Sequence, residues 1–378
     1  MGRAGEGQMK IKRLTVWRLD LPLAKVYDFS GGTQHVERLD STVLRIETDD
    51  GLEGWGETCP WGPGYLPSQH GPGVRAALET LAPAILGRDP RAPEAVGRAM
   101  ALAAPGHQGA RSAVDIACWD ILGKATGQPL WRLLGAEAPA PVALNSSIPT
   151  ADAEAMRATF AAHAAAGYRT HSAKIGGGDP DADVARIEAV LAALPEGHAV
   201  TFDVNCAWTP GVAVEVLNRA PARGWVEQPC PTLDQCAHVA ARVPQPIMLD
   251  ECLLTFDDHL AAWRRGACEG VKVKPARLGG LTAARAARDL GVALGWRMHV
   301  EDTGGSAIAD TAAFHLAAST PDANRLASWL GRAHLADDPM AGLGALNDGG
   351  VVRLGDVSGL GFAPDPATFG APCAVYEG

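Results

Sequence analysis

The pattern of apolar and polar positions divides the chain into a mixed N-terminal part and a longer repetitive part. From Lys10 to about Gly56, apolar and polar residues alternate in "KIKRLTVWRLDLPL" and "DSTVLRIETDDGLEGWGE", which predicts strands of a small sheet. Between residues 74 and 135, apolar residues recur three and four positions apart in "VRAALETLAPAIL" and "GARSAVDIACWDILGKATG". This spacing predicts helices, the second of which ends at Gly127. Together the two patterns predict an α+β domain.

Beyond Pro139, short apolar segments alternate with alanine-rich helical segments. Eight segments have the length of a strand and end in polar residues: Val142–Ile148, Thr170–Gly176, Ala199–Asn205, Trp225–Pro229, Ile247–Glu251, Gly270–Lys274, Arg297–Asp302 and Leu326–Leu330. Their spacing of about 20 to 30 residues fits one strand and one helix, so eight of them predict a closed parallel barrel. A doubly wound open sheet is the alternative, but "NSSIPT" lacks the glycine-rich phosphate turn that such a sheet favours after its first strand.

Composition and charge restrict the classes of function. The chain has 378 residues and a formal net charge of −10, so we expect no basic surface for nucleic acid. No apolar run reaches the length of about 18 residues that a membrane span needs, and no secretory signal pattern is present, so we expect a cytoplasmic protein without membrane contact. The eight cysteines include no CxxC pair and are expected to stay reduced, and the eleven histidines show no zinc-site spacing.

Three consecutive predicted barrel strands end in a carboxylate, on Asp203, Glu227 and Asp250. The carboxyl ends of the strands of such a barrel meet at one face, where active sites form. Three carboxylates in one cavity repel one another unless a cation lies between them. Oxygen ligands favour a hard divalent ion, so we predict Mg²⁺, with Mn²⁺ as an alternative. The competing interpretation is that these acids are ordinary surface or capping residues at strand ends. The lysines Lys174 and Lys274 on flanking strands argue against it.

Several of these segments resemble the enolase superfamily in its muconate lactonizing enzyme branch. The resemblance lies in "SAVDIACWDILGKATGQPLWRLLG", "VEQPC", "LDE" and "KPARLGGLT", and it extends from "LDLPL" and "GWGETCPWGPGY" to "GLGF" near the C-terminus. It implies an α/β fold in which an N-terminal α+β capping domain covers a modified TIM-type (β/α)7β barrel.

By this resemblance the chain divides into three parts. The capping domain spans residues 9–135 and carries specificity loops at about 22–38 and 57–72. The barrel spans residues 136–350 and holds the metal and the acid/base groups, and residues 351–378 pack back on the capping domain. Proteins that resemble this branch commonly assemble symmetrically, so we expect a homo-oligomer.

The resemblance also implies a role for each polar residue at the strand ends. The implied roles are Mg²⁺ ligands for Asp203, Glu227 and Asp250, an acid/base pair on opposite faces of the substrate for Lys174 and Lys274, and support of the ligands for Asn205 and Glu251.

The chain departs from this branch on the second barrel strand, where the usual Lys-x-Lys reads Ser-Ala-Lys and ends on Lys174. The missing lysine removes a charge that would lower the pKa of Lys174, and the hydroxyl of Ser172 is able to relay or donate a proton. The sixth strand carries Lys274 in place of the aspartate of a mandelate-racemase-type dyad. His299 is therefore predicted to support the site or lie in the core rather than to act as the main base.

The predicted chemistry is removal of a proton next to a carboxylate. Loss of this proton puts a second negative charge on the same group, which a divalent ion stabilises. A lysine whose pKa is lowered by the ion and by a second ammonium accepts the proton. Lysines on both faces allow either racemisation or loss of a hydroxyl as water. Lys272 lies one layer deeper than Lys274 on the same strand and is predicted to form a salt bridge.

Aromatic residues suit a small cationic ring substrate through cation–π contacts, although ordinary loop packing explains them equally well. They lie in the capping loops and on the last strand, at Tyr27, Phe29, Trp61, Tyr65 and Trp329. Asp302 or Glu301 is predicted to help Trp329 hold an ammonium group.

The capping loops, "VEQPCPTLDQC" and "SWL" resemble members of the branch that act on hydroxyproline and proline betaine. We therefore prefer dehydration of cis-3-hydroxy-L-proline, because its 3-hydroxyl gives the carbanion a leaving group. The 2-epimerisation of proline betaine or another amino acid derivative is the next alternative, and sugar-acid dehydration is the third, since the loops offer few basic or amide groups. A non-catalytic scaffold of the same fold is the last, and buried charge argues against it.

Overall fold

The computed structural model describes residues 9–29, 35–62, 65 and 69–378. Its strands, in chain order, are β1 (Ile11–Asp28), β2 (His35–Thr48), β3 (Glu53–Thr58), β4 (Val142–Ala143), β5 (Asn145–Ile148), β6 (Thr170–Lys174), β7 (Ala199–Asp203), β8 (Trp225–Glu227), β9 (Ile247–Leu249), β10 (Gly270–Val273), β11 (Arg297–Val300), β12 (Val351–Val352) and β13 (Ala374–Glu377). Its helices are α1 (Gly71–Ile85), α2 (Pro93–Ala103), α3 (Gln108–Thr126), α4 (Leu130–Leu133), α5 (Ala153–Ala165), α6 (Pro180–Ala193), α7 (Pro210–Arg219), α8 (Leu233–Ala240), α9 (Phe256–Arg265), α10 (Pro275–Leu278), α11 (Leu281–Ala293) and α12 (Ala307–Ala318). Within the described residues, no helix is both long and apolar enough to span a membrane.

An antiparallel sheet with the strand order β13-β1-β2-β3 forms the N-terminal part, and helices cover it. Helix α3 packs closely on β3 because glycine leaves room there: a Cβ on Gly56 would collide with the carbonyl oxygen of Ala113. The helix ends at Thr126, where Gly127 adopts a left-handed φ of 65° that glycine tolerates without strain. The C-terminal strand β13 pairs with β1, so the last residues of the chain complete this sheet.

Seven parallel strands form the barrel sheet, in the order β11-β10-β9-β8-β7-β6-β5. Their register sets the height of the polar residues at the strand ends. Lys174 pairs with Asp203, and Asp203 pairs in turn with Glu227. Glu227 pairs with Met248, two residues before Asp250. Neighbouring strands therefore bring these side chains to the same end of the barrel.

The eighth predicted strand, Leu326–Leu330, is not a regular strand, and this part of the prediction is wrong. The segment closes the ring through isolated parallel bridges, Met298 to Arg325 on one side and Leu144 to Ser328 on the other. The backbone N–H of Asn145 donates to the backbone carbonyl oxygen of Ser328 over 2.8 Å. The first predicted strand is also divided, because β4 leaves the barrel to pair antiparallel with β12. The backbone of these two segments pairs in more than one direction, so their sequences do not show the simple alternation of a single regular strand.

The capping segments differ from the loops that the sequence indicates. Most of 22–38 extends the hairpin, since β1 continues to Asp28 and β2 begins at His35. Residues 30–34 lie outside the described residues. Of 57–72, the first two residues belong to β3, and residues 63–64 and 66–68 lie outside the described part.

Glu57, at the end of β3, joins the N-terminal sheet to the barrel. Its buried carboxylate accepts hydrogen bonds from the Ser41 hydroxyl at 2.7 Å, from the Ser306 amide at 2.9 Å and hydroxyl at 2.7 Å, and from the Ala309 amide at 3.0 Å. Burial raises the pKa of Glu57, and these four donors act against the rise. Glu57 thereby holds the turn that follows β11 and the start of α12 against the capping sheet.

Candidate active site

Five charged side chains from the strand ends line one cavity at the carboxyl end of the barrel, namely Lys174, Asp203, Glu227, Asp250 and Lys274. The three acids are each 1% exposed and the two lysines 7%. Lys174 ends β6 and Lys274 directly follows β10, so three strands separate them. The geometry therefore brings together the charged residues that the sequence placed at strand ends and sets the two lysines on different sides.

Lys174 contacts the carboxylate of Asp203 and donates to Asn205 Oδ1 over 3.1 Å. Asn205 in turn donates from its amide nitrogen to Glu251 Oε1 at 3.0 Å. Burial alone would lower the pKa of Lys174, but the charge of Asp203 outweighs it and raises the pKa. This direction is opposite to the sequence expectation, which assumed a dication and a second ammonium nearby. Burial, and to a smaller extent the negative charge of Asp250, raises the pKa of Glu251 to about 7.

On the other side, Lys274 donates to Asp250 Oδ2 over 2.8 Å. The fully buried guanidinium of Arg277 also contacts the Asp250 carboxylate and donates to its carbonyl oxygen at 2.7 Å. Burial acts to raise the pKa of Asp250, but the charges of Arg277 and Lys274 lower it well below its usual value. The sequence reasoning assigned no role to Arg277, although it stands in the quoted "KPARLGGLT".

The turn after Lys274 explains the double glycine of that motif. The single helical turn α10 begins directly after Lys274, with proline at its first position. Gly279 and Gly280 follow with φ of 102° and 119°, and a Cβ on Gly280 would collide with the side chain of Asp115. Glycine is needed here for both backbone conformation and close approach, and the turn brings Arg277 back onto Asp250.

Lys272 forms the predicted salt bridges one layer below. Its ammonium lies 3.1 Å from Glu227 Oε1 and donates to Glu301 Oε1 over 2.8 Å. Burial opposes the charged form, but Glu227 and Glu301 raise its pKa well above the usual value. His299 pairs with Lys272 across β10 and β11 and is completely buried. Burial and the charge of Lys272 lower the pKa of His299 to about 3, which does not suit a role as main base.

The other predicted residues surround the same cavity. Ser172, Trp61, Tyr65, Asp302 and Trp329 all line it. Asp302 Oδ1 accepts from the Ala276 amide at 3.1 Å and the Thr303 amide at 2.7 Å. Its Oδ2 is buried and has no hydrogen-bond partner among the residues described by the structure. Burial raises the pKa of Asp302 to about 7.

Aromatic rings close the cavity from the capping side. The ring centroids of Trp61 lie 6.1 Å from Trp329, 5.1 Å from Tyr27 and 5.2 Å from Phe29. The Trp61 indole nitrogen also contacts the carbonyl oxygen of Thr303, which ties the capping segment to the turn after β11. The Tyr65 hydroxyl donates to Asp250 over 3.4 Å, so the described capping aromatics reach the charged groups directly.

The three carboxylates suit a divalent cation in their chemistry and line one cavity, but each lies beside a cationic side chain of the protein. Among the described residues, no three His, Cys, Asp or Glu side chains lie close enough together to hold a metal ion as they stand. Within the described residues, both buried carboxylate oxygens of Glu227 accept no hydrogen bond, and the Lys272 ammonium is an ion-pair neighbour 3.1 Å from Oε1. Burial and the charge of Asp203 raise the pKa of Glu227 well above its usual value. Lys272 compensates only part of the cost of burying this carboxylate, and a divalent cation would satisfy the oxygen that Lys272 does not reach.

A larger chamber of about 420 Å³ adjoins this cavity. The two spaces share the side chains of Tyr27, Asn145, Ser147, Lys174 and Trp329 as a common wall. The Tyr27 hydroxyl lies 3.1 Å from the Ser147 hydroxyl across this boundary. The sequence reasoning named neither Asn145 nor Ser147, because a single polar residue early in a strand carries no distinctive signal.

Comparisons with known proteins agree with this architecture. The mandelate racemase/muconate lactonizing enzyme N-terminal domain matches residues 16–135, and the enolase C-terminal domain-like model matches residues 155–368. A crystal structure of an enolase superfamily member from Roseovarius nubinhibens, complexed with magnesium, is 63% identical, with a TM-score of 0.95 over 98% of this chain and 100% of that chain. The predicted fold class is therefore confirmed.

Two curated relatives carry named activities. The cis-3-hydroxy-L-proline dehydratase of Roseibium aggregatum is 38% identical over 98% of this chain and 100% of its own length. The N-succinyl-L-Arg/Lys racemase of Bacillus cereus is 28% identical over 82% of this chain and 85% of its own. The chain therefore belongs to the mandelate racemase/muconate lactonizing enzyme family of the enolase superfamily.

Proposed function

We propose that this chain is a Mg²⁺-dependent dehydratase of cis-3-hydroxy-L-proline. The observation that carries the proposal is the placement of two buried lysines, Lys174 and Lys274, on different sides of a cavity that also holds three buried carboxylates. The substrate is supported by the dehydratase from Roseibium aggregatum, which matches along its whole length.

In this proposal Asp203, Glu227 and Asp250 would hold Mg²⁺, a hard ion that prefers oxygen ligands. The magnesium complex of the Roseovarius relative supports the choice of metal, and Mn²⁺ is the alternative. When bound, the ion supplies electrostatic stabilisation of the negative charge that develops on the substrate carboxylate. It would also take over the charge pairing that Lys174 and Lys274 now share with Asp203 and Asp250, leaving the lysines available for the substrate.

The stereochemistry of the substrate requires groups on both of its faces. In cis-3-hydroxy-L-proline the hydroxyl lies on the same ring face as the carboxylate, so the α-hydrogen lies on the opposite face. One lysine amine takes the α-proton, and the C–H electron pair remains on the substrate. The C3–O bond then breaks with its electron pair, the opposite ammonium protonates the leaving hydroxyl to water, and a C2–C3 double bond forms. The enamine product tautomerises to a pyrroline carboxylate, and no redox partner is required.

The ring ammonium of the substrate would lie beside Asp302 and Trp329. Asp302 Oδ2 is a cavity-lining acceptor that has no hydrogen bond from any described residue. The face of the Trp329 indole adds a cation–π contact, and Trp61, which is 6.1 Å away between centroids, extends the aromatic wall. Ser172 and His299 remain supporting residues in this proposal, as do Asn205 and Glu251.

Epimerisation at C2 of proline betaine or another amino acid derivative is the second candidate. The same pair of lysines would remove the proton on one side and return it on the other, and the racemase from Bacillus cereus supports this chemistry within the family. The two candidates differ in the fate of the hydroxyl, which only dehydration expels.

The test is incubation with cis-3-hydroxy-L-proline and Mg²⁺ in D₂O, followed by ¹H NMR of the α-proton and of the pyrroline product. We expect pyrroline from the wild type and a loss of about 10²-fold to 10⁴-fold in Lys174→Ala and Lys274→Ala. The exposed Lys12→Ala is the matched control and should retain full activity. Deuterium exchange with inversion of a proline betaine and no pyrroline would establish the epimerase instead. Full activity in both lysine variants would refute the assignment of the acid/base pair.

We also propose that the enzyme acts on a small carboxylate as a homo-oligomer in the cytoplasm, as members resembling this branch commonly assemble. Sedimentation velocity of the purified chain measures the assembly, and a single monomeric species would contradict this expectation.

A further inference from the structure

Neutral polar side chains from β5 and β6 line the catalytic cavity beside Lys174. Asn145 and Ser147 lie two residues apart on β5, so their side chains point to the same face of the strand. The parallel register sets Ser147 beside Ser172 on β6. Asn145, Ser147 and Ser172 all line the cavity on the side of Lys174.

Asn145 is distinguished among these side chains by an unsatisfied polar atom. It is only 4% exposed, and its buried Oδ1 has no hydrogen-bond partner in the part of the chain that the structure describes. An unpaired buried carbonyl oxygen costs free energy, and buried polar groups almost always find a partner. Asn145 lines the cavity, so its Oδ1 is within reach of a molecule bound there.

The two sides of the cavity differ in their access to the chamber. The chamber of about 420 Å³ is lined by Lys174, Asn145 and Ser147, but Lys274 is not part of its wall. Lys274 is surrounded by Asp250 and Glu301, which accept from cations and offer no neutral donor–acceptor pair. On the Lys274 side the neutral Tyr65 hydroxyl already donates to Asp250 at 3.4 Å and accepts from Arg277 at 3.2 Å. Among the described residues, the Lys174 side offers a hydroxyl group the uncharged side chains of Asn145 and Ser147.

We propose that Asn145 binds the 3-hydroxyl of the substrate and so acts as a specificity-determining residue for dehydration. This inference rests on the proposed function and places the leaving hydroxyl on the side of Lys174. The hydroxyl donates to Asn145 Oδ1 while the C3–O bond is intact. When that bond breaks, the oxygen keeps the bonding electrons, takes a proton from the Lys174 ammonium and leaves as water into the adjoining chamber.

The test compares two fates of the same carbanion in D₂O. After the α-proton is removed, the intermediate either regains a deuteron at C2 or loses its hydroxyl. The ratio of deuterium in recovered cis-3-hydroxy-L-proline to pyrroline formed is independent of the fraction of active enzyme. We expect Asn145→Ala to raise this ratio about fivefold, because one hydrogen bond to the leaving group is lost.

Two further measurements keep the result specific to the hydroxyl. Asn145→Leu, which fills the space without a polar atom, should raise the ratio as Asn145→Ala does. Exchange of the α-proton of L-proline, which has no hydroxyl, should be unchanged in both variants. The matched control is Asn218→Ala, on the exposed surface of α7, which should leave the ratio at the wild-type value.

An unchanged ratio with both rates reduced equally would overturn the inference and show that Asn145 positions the whole substrate or its ammonium group. An unchanged ratio at wild-type rates would overturn it as well. Absence of both pyrroline and deuterium incorporation in the wild type would instead refute the proposed function, so the two failures are distinguishable.

Discussion

At the scale of single residues, the site is an array of buried charges in which Asp203, Glu227, Asp250 and Glu301 each lie beside a cationic side chain. The pairs are Lys174 with Asp203, Lys272 with Glu227 and Glu301, and both Lys274 and Arg277 with Asp250. Buried charges without partners are strongly destabilising, whereas paired ones are tolerated at a cost. The array therefore keeps three carboxylates in one cavity of the folded chain before any substrate binds.

We expect Arg277 to affect catalysis indirectly, because its contacts fix the orientation of the Asp250 carboxylate. Its guanidinium reaches both the carboxylate and the backbone carbonyl of Asp250, a fork that a lysine cannot reproduce. We predict that Arg277→Lys lowers kcat/KM for the proposed dehydration by about 10-fold to 100-fold, as is typical when a partner of a metal-binding group is lost. Steady-state kinetics at saturating Mg²⁺ measure the effect. Arg285→Lys, on α11 and paired with Glu94, is the control, and equal kinetics in both variants would contradict the prediction.

At the scale of elements, the start of α12 is the joint between the two parts of the molecule. Glu57 from β3 accepts hydrogen bonds from Ser306 and Ala309, and the Asp310 carboxylate accepts from the amides of Gly331 at 3.3 Å and Arg332 at 2.9 Å. The start of α12 thus contacts three parts of the molecule. They are the capping sheet, the turn after β11 and the residues that directly follow the closing segment Leu326–Leu330.

Asp310 makes the stability of this joint dependent on pH. Burial raises its pKa from 3.8 to about 8. The folded chain therefore holds this proton where the unfolded chain has lost it, so the stabilisation is complete below about pH 4 and is lost as the pH rises through about 8. We predict that the free energy of unfolding of the wild type falls relative to that of Asp310→Asn over this range. Urea denaturation across the pH series measures the difference in slope.

The control for this experiment is Asp257→Asn, an exposed acid in the first turn of α9, which should follow the wild-type slope. Parallel pH profiles of the wild type and Asp310→Asn would show that the proton on Asp310 does not contribute.

At the scale of the whole molecule, the three carboxylates come from the neighbouring strands β7, β8 and β9. An ion held by all three would link these strands, and a ligand that binds only the folded state stabilises it. At a Mg²⁺ concentration about 100 times its Kd, the gain in the free energy of unfolding is about 2.7 kcal/mol. We therefore predict a rise in Tm on addition of Mg²⁺ and its reversal by a chelator, measured by differential scanning calorimetry.

Glu227→Gln should abolish most of this rise, because it removes the charge of the acid whose two oxygens accept no hydrogen bond from the described residues. Glu188→Gln, on the exposed face of α6, is the matched control and should respond like the wild type. An equal rise in Tm for both variants would remove Glu227 from the metal site.

Local patterns in the sequence were sufficient to predict the barrel and to locate the ends of most of its strands. The recurring strand–helix interval predicts parallel strands, and the carboxyl end of a strand is a position that sequence order alone defines. Asp203, Glu227, Asp250 and Lys274 were predicted at one face for this reason, and they line one cavity. The prediction of an eighth regular strand was wrong, because ring closure depends on where the two edge strands meet.

The sequence by itself determined which charged groups reach the site, and the tertiary structure decided how they pair. The contacts of Arg277 with Asp250, of Glu57 with Ser306 and of Tyr27 with Ser147 join residues that are 27, 249 and 120 positions apart. Such pairings depend on barrel closure and on the docking of the capping sheet, which local periodicity does not encode. That Asn145 Oδ1 has no hydrogen-bond partner among the described residues is likewise apparent only from the folded arrangement.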